Sequence, residues 1–133
     1  MKTLVIIARV ALGLVFLFFG SNNFLQFIPP PADMTPAAER FLVALKDSGY
    51  VMPILSGLQV AIGAMLVSGV FVPLALVLLA PIMVNIVGFH VMIDRKGLEF
   101  VIGLTAIGLF LAFAYRDSFA GVLRPLARPT GVE

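Results

Sequence analysis

The sequence is short of charge, and this shortage indicates a membrane protein. Charged residues make up 12% of its 133 residues and apolar residues 61%, against roughly 25% and roughly 45–50% in soluble domains. A soluble domain of this length would have too few charged side chains to cover its surface. We therefore expect a lipid bilayer around the chain, and the number of spans becomes the first question.

Cysteine is absent, and histidine occurs once, at His90. Without thiols the chain can form no disulfide, no thiolate metal site and no thiol–disulfide relay. One imidazole is also a poor set of transition-metal ligands, so no metal site is predicted, and haem held by two histidines of one chain is excluded. The net charge of +2 is small and dispersed, so nucleic acid is not an expected partner.

Four apolar segments are long enough to cross the hydrocarbon of a bilayer, at about residues 3–27, 51–68, 73–93 and 98–115. None of them alternates with a period of two, and backbone groups in lipid must be paired within their own segment, so each is predicted to be a helix. Bulky side chains at Phe18 and Phe19, just before Gly20, argue against a signal-peptide cleavage site. Short links predict antiparallel neighbours. The predicted fold is all-α: one domain with four transmembrane helices in an up-down bundle.

Residues 28–50, between the first two spans, have a different composition. The run Pro29-Pro30-Pro31 ends the first helix and favours an extended backbone. Thr35 then predicts an N-cap, with Pro36 at the first helical position. Residues 37–46 place apolar side chains on one face, which predicts a short amphipathic helix that ends at Gly49. Two interpretations stay open: a surface element packed on the helix ends, or a lid lying in the membrane interface over a lateral pocket.

Small residues within the spans predict where helices touch, because lipid supplies no hydrophobic force between them and packing must come from close backbone approach. Three stripes of this kind occur in the sequence. They are Gly13 and Gly20 in the first span, Gly57, Ala61, Ala64 and Ser68 in the second, and Gly108 and Ala112 in the fourth.

Three polar residues lie inside predicted spans, where each one calls for a partner. Arg9 lies about two turns into the first span, on the face that also carries Asn23. It either extends toward the nearby membrane surface or points inward toward a ligand anion. Gln59 and Asn85 lie near the middle of the second and third spans. They either form a hydrogen bond across a helix pair, worth about 0.6 kcal/mol, or line a polar ligand pocket.

Several polar residues gather at one end of the predicted bundle. His90 and Asp94 are four residues apart, so on a helix they would lie on one face, where the carboxylate would favour protonation of the imidazole. Glu99 begins the fourth span on the same side, and Asn22 and Asn23 end the first span there. This end is the candidate ligand site, with His90 as a proton acceptor for a quinol. The alternative is a hydrogen-bonded interfacial histidine that binds nothing.

The distribution of basic residues gives little information on orientation. Lys2, Arg116, Arg124 and Arg128 lie on the side of the termini, and Arg40, Lys46, Arg95 and Lys96 lie on the other. The basic C-terminal tail, together with the α-amino group, favours cytoplasmic termini.

The chain resembles the DoxX-like (DoxX/DoxD) family of membrane proteins over nearly its whole length. The passages that carry the resemblance are residues 9–24 (RVALGLVFLFFGSNNF), 71–94 (FVPLALVLLAPIMVNIVGFHVMID) and 114–119 (AYRDSF). Residues 41–53 (FLVALKDSGYVMP) are also similar to the segment before the family's second helix. Relatives often carry glutamate where this chain has Gln59.

The resemblance implies a four-span protein of a bacterial-type inner membrane. Some relatives are subunits of quinone-linked enzymes, including terminal quinol oxidase and thiosulfate:quinone oxidoreductase, and others associate with redox-stress proteins. The leading expectation is therefore an accessory subunit that binds a quinone or supports a membrane redox complex, without a complete catalytic set of its own. Alternatives are a non-catalytic scaffold, which would bind a redox enzyme or a second copy, and a small transporter. A transporter is disfavoured because no acidic residue lies in the middle of a span.

Overall fold

A computed structural model describes residues 1–131, and these residues form five α-helices and no strand. The helices are α1 (Lys2–Leu25), α2 (Pro36–Asp47), α3 (Val51–Ser68), α4 (Val72–Met92) and α5 (Leu98–Ala114), followed by a 3₁₀ turn at Arg116–Phe119. The predicted all-helical class is confirmed. The short helix between the first two spans is present as α2, and all boundaries fall close to the predicted ones.

Three of these helices, α1, α3 and α4, are long and apolar enough to cross a membrane. Helix α5 is also apolar but has 17 residues, which gives a length of about 25 Å at 1.5 Å per residue. Large apolar side chains such as Leu14, Val84 and Leu109 are exposed on the outer faces. These faces suit contact with lipid, whose hydrocarbon would cover them.

The four longer helices surround one apolar core. Helix α1 contacts α3 and α5, and α4 contacts the same two helices, while α2 lies against α3. The core is made of side chains from all four longer helices, including Leu12, Phe16, Ile62, Leu66, Ala75, Leu79, Leu104 and Leu111. The short link from Ser68 to Val72 turns through Gly69 and Phe71, both with positive φ.

Helices α1 and α3 touch backbone to backbone at glycine. A Cβ atom on Gly63 would lie 2.7 Å from the carbonyl oxygen of Gly13, and a Cβ on Gly20 would lie 2.9 Å from that of Ser56. The residue numbers fall on α3 as they rise on α1, so the two helices are antiparallel. The predicted packing stripe of Gly13 and Gly20 is thereby confirmed.

The stripe predicted on the second span is wrong as a contact within this chain. All four of its residues, Gly57, Ala61, Ala64 and Ser68, are exposed. Helix α3 instead turns the neighbouring face to α1, which begins one residue earlier at Ser56 and includes Gly63. Neighbouring residues point in directions about 100° apart around a helix, so a shift of one residue selects a different face. Contact with α1 therefore decides which face of α3 is buried, and the small residues alone do not.

The stripe predicted on the fourth span forms no close contact either. A Cβ on Gly108 would meet nothing within 4 Å. Gly108 and Ala112 instead line an apolar groove of about 400 Å³ between α4 and α5, together with Leu79, Met83 and Val87.

Candidate functional site

An open cleft of about 940 Å³ lies at the end of the helices where α1 stops. Its walls come from the last turns of α1, the proline-rich segment, one face of α2, the start of α3 and the end of α4. Polar groups on these walls come from Asn22, Asn23, Gln26, Glu39, Lys46 and His90, and the apolar surface includes Phe18, Phe19, Pro29, Pro30, Pro31, Met34, Leu42 and Met52.

The turn at the end of α1 directs the chain around this cleft. Gln26 adopts a left-handed conformation with φ of 52°, and its backbone N–H donates to the Asn22 carbonyl oxygen. The Asn22 side chain accepts a hydrogen bond from the Ile28 N–H at 2.9 Å. The proline-rich segment that follows has few backbone donors to satisfy. It forms one wall of the cleft and turns at Ala32 and Asp33. Thr35 then caps α2 as predicted, by accepting from the Ala38 N–H at 3.3 Å.

The start of α2 is tied to the α4–α5 link by Asp94. One carboxylate oxygen accepts from the Thr35 N–H at 3.4 Å and the other from the Lys96 N–H at 3.1 Å. Asp94 is 6% exposed. A buried carboxylate is costly unless donors surround it, and these two amide donors give Asp94 a structural task.

A second tie joins the same two segments at the surface. The Lys96 ammonium lies 2.7 Å from the Asp33 carboxylate and also donates to the Asp33 carbonyl oxygen. The hydrogen bond from Lys96 lowers the pKa of the Asp33 carboxyl below its usual value. Both side chains are largely exposed, so the pair adds little stability. We call Asp33, Thr35, Asp94 and Lys96 the clasp.

An aromatic contact supports the clasp from the helix side. The rings of Phe41 on α2 and Phe89 on α4 have centroids 5.6 Å apart. Phe89 in turn meets the ring of His90 edge to face at 5.2 Å. Helix α2 is therefore held over the cleft by contacts at its first residues and along its inner face.

His90 supplies the one imidazole on the cleft walls. Its Nδ1 lies 2.8 Å from the Ile86 carbonyl oxygen. That carbonyl can only accept, so Nδ1 carries a proton and, in the neutral ring, Nε2 has the free lone pair. In that tautomer Nε2 can accept a hydrogen bond, and it lies 3.9 Å from where a Cβ on Gly97 of the α4–α5 link would be.

The predicted contact between His90 and Asp94 is not made. Helix α4 ends at Met92, so the spacing of four residues no longer places the two side chains on one helical face. The Asp94 carboxylate bonds Thr35 and Lys96 instead. Glu99 is exposed in the first turn of α5, and it is not among the residues that line the cleft.

The polar residues predicted inside the spans are dispersed. Asn85 is exposed, and its amide donates to the Pro81 carbonyl oxygen of its own helix at 2.9 Å, so it does not bond Gln59. Gln59 is buried and lies against Gly20 of α1. Arg9 lies near the other end of the bundle, with its guanidinium against Gly69 at the end of α3. Of the predicted candidates, the cleft walls include His90 and Asn23.

Sequence reasoning did not identify Asp33 and Lys96 as partners, because 63 residues separate them and no periodic pattern connects them. The signal that pointed toward the cleft was the amphipathic pattern of residues 37–46. Within residues 1–131, no group of three or more histidine, aspartate or glutamate side chains is arranged to hold a metal ion.

Comparison of the chain with protein-family models, with curated proteins and with solved structures found no match. The resemblance to the DoxX-like family stays a prediction from the sequence.

Proposed function

We propose that this chain is a four-span integral membrane protein that binds the polar head of a quinone, or of a similar lipophilic redox molecule, in the cleft beneath α2. The observation that carries the proposal is the position of His90, a hydrogen-bond acceptor on an otherwise largely apolar wall. The cleft volume of about 940 Å³ lies within the range of small-molecule sites, roughly 300–1,000 Å³.

The cleft walls match the chemistry of such a head group. A hydroquinone hydroxyl would donate to Nε2 of His90, and the Asn23 amide offers donors to a quinone carbonyl. Phe18, Phe19 and Met52 supply apolar surface for the ring. An isoprenoid tail would leave through the open side into the bilayer. In this proposal the chain is an accessory subunit next to a redox enzyme, and that enzyme accepts the electrons.

Helix α2 serves as the lid of this site in the proposal. Its inner face contributes Glu39, Leu42 and Lys46 to the cleft, and the clasp ties its first residues to the α4–α5 link. A ligand head that enters from the bilayer would pass under α2 and displace no core residue.

Thermal stability in detergent tests the binding proposal. A ubiquinone or menaquinone analogue with a short tail should raise the melting temperature of the purified protein, because a ligand that binds only the folded state stabilises it. His90→Ala should reduce this shift. Asn85→Ala is the matched control, since Asn85 is polar, lies on the same helix and bonds only its own helix. An unchanged melting temperature with either analogue, or an equal shift in His90→Ala, would refute the proposal.

The proposed topology has α5 as the fourth span and cytoplasmic termini in a bacterial-type inner membrane. The cysteine-free chain allows single labels at the exposed positions Ser48, between α2 and α3, and Ser118, after α5. Ser48→Cys and Ser118→Cys should react with a membrane-impermeant maleimide from opposite sides, with Ser118→Cys protected in intact cells. Labelling of both positions from the same side would show that α5 does not cross.

A scaffold role is the second candidate, and the exposed stripe of Gly57, Ala61, Ala64 and Ser68 on α3 favours it. Such a stripe allows close approach of a second transmembrane helix. A stoichiometric partner that co-purifies with the protein should be lost with Ala61→Leu and kept with Val84→Leu, a change on the exposed face of α4. If the partner is recovered equally with both variants, the stripe on α3 does not support a scaffold role.

A further inference from the structure

Two buried polar side chains on α3 are left without a hydrogen bond. Ser56 is 1% exposed and Gln59 is 7% exposed. Within the described residues, neither the Ser56 hydroxyl oxygen nor Oε1 of Gln59 has a hydrogen-bond partner. A buried polar atom that stays unpaired costs about 1–3 kcal/mol, and lipid around the helices offers no alternative partner.

The two side chains lie directly beyond the cleft. Ser56 follows Met52 by four residues, one helical turn, and Met52 belongs to the cleft wall. Across the interface, Gly20 of α1 packs closely against this part of α3: a Cβ on Gly20 would lie 2.9 Å from the Ser56 backbone carbonyl oxygen and 3.0 Å from Cβ of Gln59. Three residues after Gly20 comes Asn23, which also lines the cleft.

Deeper in the interface the polar residues stop. Leu12, Phe16, Ile62 and Leu66 are between 0% and 2% exposed and belong to the apolar core. Along α3, Ser56 and Gln59 therefore lie between Met52 of the cleft wall and Ile62 of the apolar core.

We propose that Ser56 and Gln59 bind one ordered water molecule between the end of α3 that lines the cleft and the apolar core. The water donates one hydrogen to Oε1 of Gln59, and it exchanges a second hydrogen bond with the Ser56 hydroxyl, which can donate or accept. Ordered waters in proteins occur at otherwise unsatisfied buried polar groups of this kind. This proposal does not depend on the identity of the ligand.

Nuclear magnetic resonance on the whole protein in detergent micelles tests the proposal directly. The sequence contains two glutamines, Gln26 and Gln59, so ¹⁵N-glutamine labelling gives two side-chain amides. Gln26 is exposed at the end of α1 and reports on bulk water. The Gln59 amide should show a nuclear Overhauser effect to a long-lived water, with the sign that distinguishes it from bulk water at Gln26.

The sign of a stability change gives an independent test. If the water is bound, Ser56→Ala removes one of its two partners and leaves Gln59 unpaired, so the melting temperature should fall by roughly 4 °C. If the Ser56 hydroxyl has no partner, its removal should raise the melting temperature, because an unsatisfied buried group disappears. Ser118→Ala, at an exposed serine, should change nothing. A water signal absent from Gln59, or a Ser56→Ala protein that melts at or above the parent temperature, would overturn the proposal.

Discussion

The α1–α3 contact and the α4–α5 contact use the same residue type in opposite ways. Between α1 and α3, glycines lie where a Cβ would collide with the partner's backbone, as at Gly63 and Gly13. On α4 and α5, a Cβ on Gly88, Gly103 or Gly108 would meet nothing within 4 Å, and a groove of about 400 Å³ separates parts of the two helices.

The difference shows that glycine in a transmembrane helix permits close packing but does not create it. Close approach needs a second backbone whose own small residues lie at the matching height, as Gly13 and Gly63 do. Without that match, glycine only removes a side chain and costs helix stability. The tight pair α1–α3 therefore supports one wall of the cleft through backbone contact, whereas α4 and α5 pack through core side chains such as Leu79, Leu104 and Leu111.

The largest expected effect comes from closing the space in the α1–α3 contact. Gly63→Ala places a methyl group 2.7 Å from the Gly13 carbonyl oxygen, so the backbones must separate, at a cost of about 2–3 kcal/mol. Thermal or denaturant unfolding in detergent micelles measures this loss. Gly103→Ala is the matched control on α5 and should be neutral or slightly stabilising. Equal losses in both variants would contradict the contrast between the two contacts.

Removing the buried carboxylate of the clasp should have the next largest effect. Asp94→Ala leaves the Thr35 and Lys96 amides without their acceptor, at a cost of about 1–2 kcal/mol. Because the loss falls on the start of α2, hydrogen exchange of the amides in Pro36–Asp47 should speed up more than exchange in α3. Asp94→Asn keeps one acceptor oxygen, so its exchange rate in α2 should lie between those of the parent and Asp94→Ala. Exchange in α2 that is unchanged in Asp94→Ala would show that the clasp does not hold this helix.

A side chain added in the α4–α5 groove should be tolerated. Gly108→Leu meets no neighbour at Cβ and replaces a poor helix former, so a gain of about 0.5–1 kcal/mol is expected. Melting temperature in detergent measures this gain. Gly20→Leu, in the tight α1–α3 contact, should instead lower the melting temperature. A destabilised Gly108→Leu protein would mean that the groove closes in the membrane.

The smallest effect belongs to the exposed ion pair. The pKa of Asp33 is lowered by Lys96, so the ionised carboxylate is favoured in the folded state. Its contribution is complete above the unfolded value, about 3.9, and is lost as the pH falls through the lowered folded value. Exchange in α2 should therefore be faster in Lys96→Gln than in the parent at pH 6, and the difference should shrink near pH 3. A difference that grows at low pH would exclude this ion pair as its cause.

Much of the helical structure follows from the sequence. Apolar segments of about 20 residues, bounded by proline, glycine and charge, predicted the helices within a few residues, and the Thr35-Pro36 pair predicted the start of α2. These features depend on neighbours in sequence, because each backbone group bonds within its own helix. The all-helical class followed for the same reason.

The candidate site was predicted only in part. His90 and Asn23 line the cleft as part of one end of the bundle, since short links bring those helix ends together. Asp94 was predicted as a partner for His90, yet α4 ends two residues before it and its carboxylate bonds the α2 start. Spacing in sequence gives a shared face only while the helix continues.

The sequence alone determined that the chain is helical, apolar enough for a bilayer and supplied with one histidine near a helix end. The tertiary structure decided which face of α3 meets α1, where Gln59 and Ser56 are buried, and that one face of α2 lines the cleft. Each of these depends on the rotation of one helix against another. A rotation of about 100° changes which side chains are buried, and it is set by backbone contacts between residues distant in the chain, such as Gly13 and Gly63.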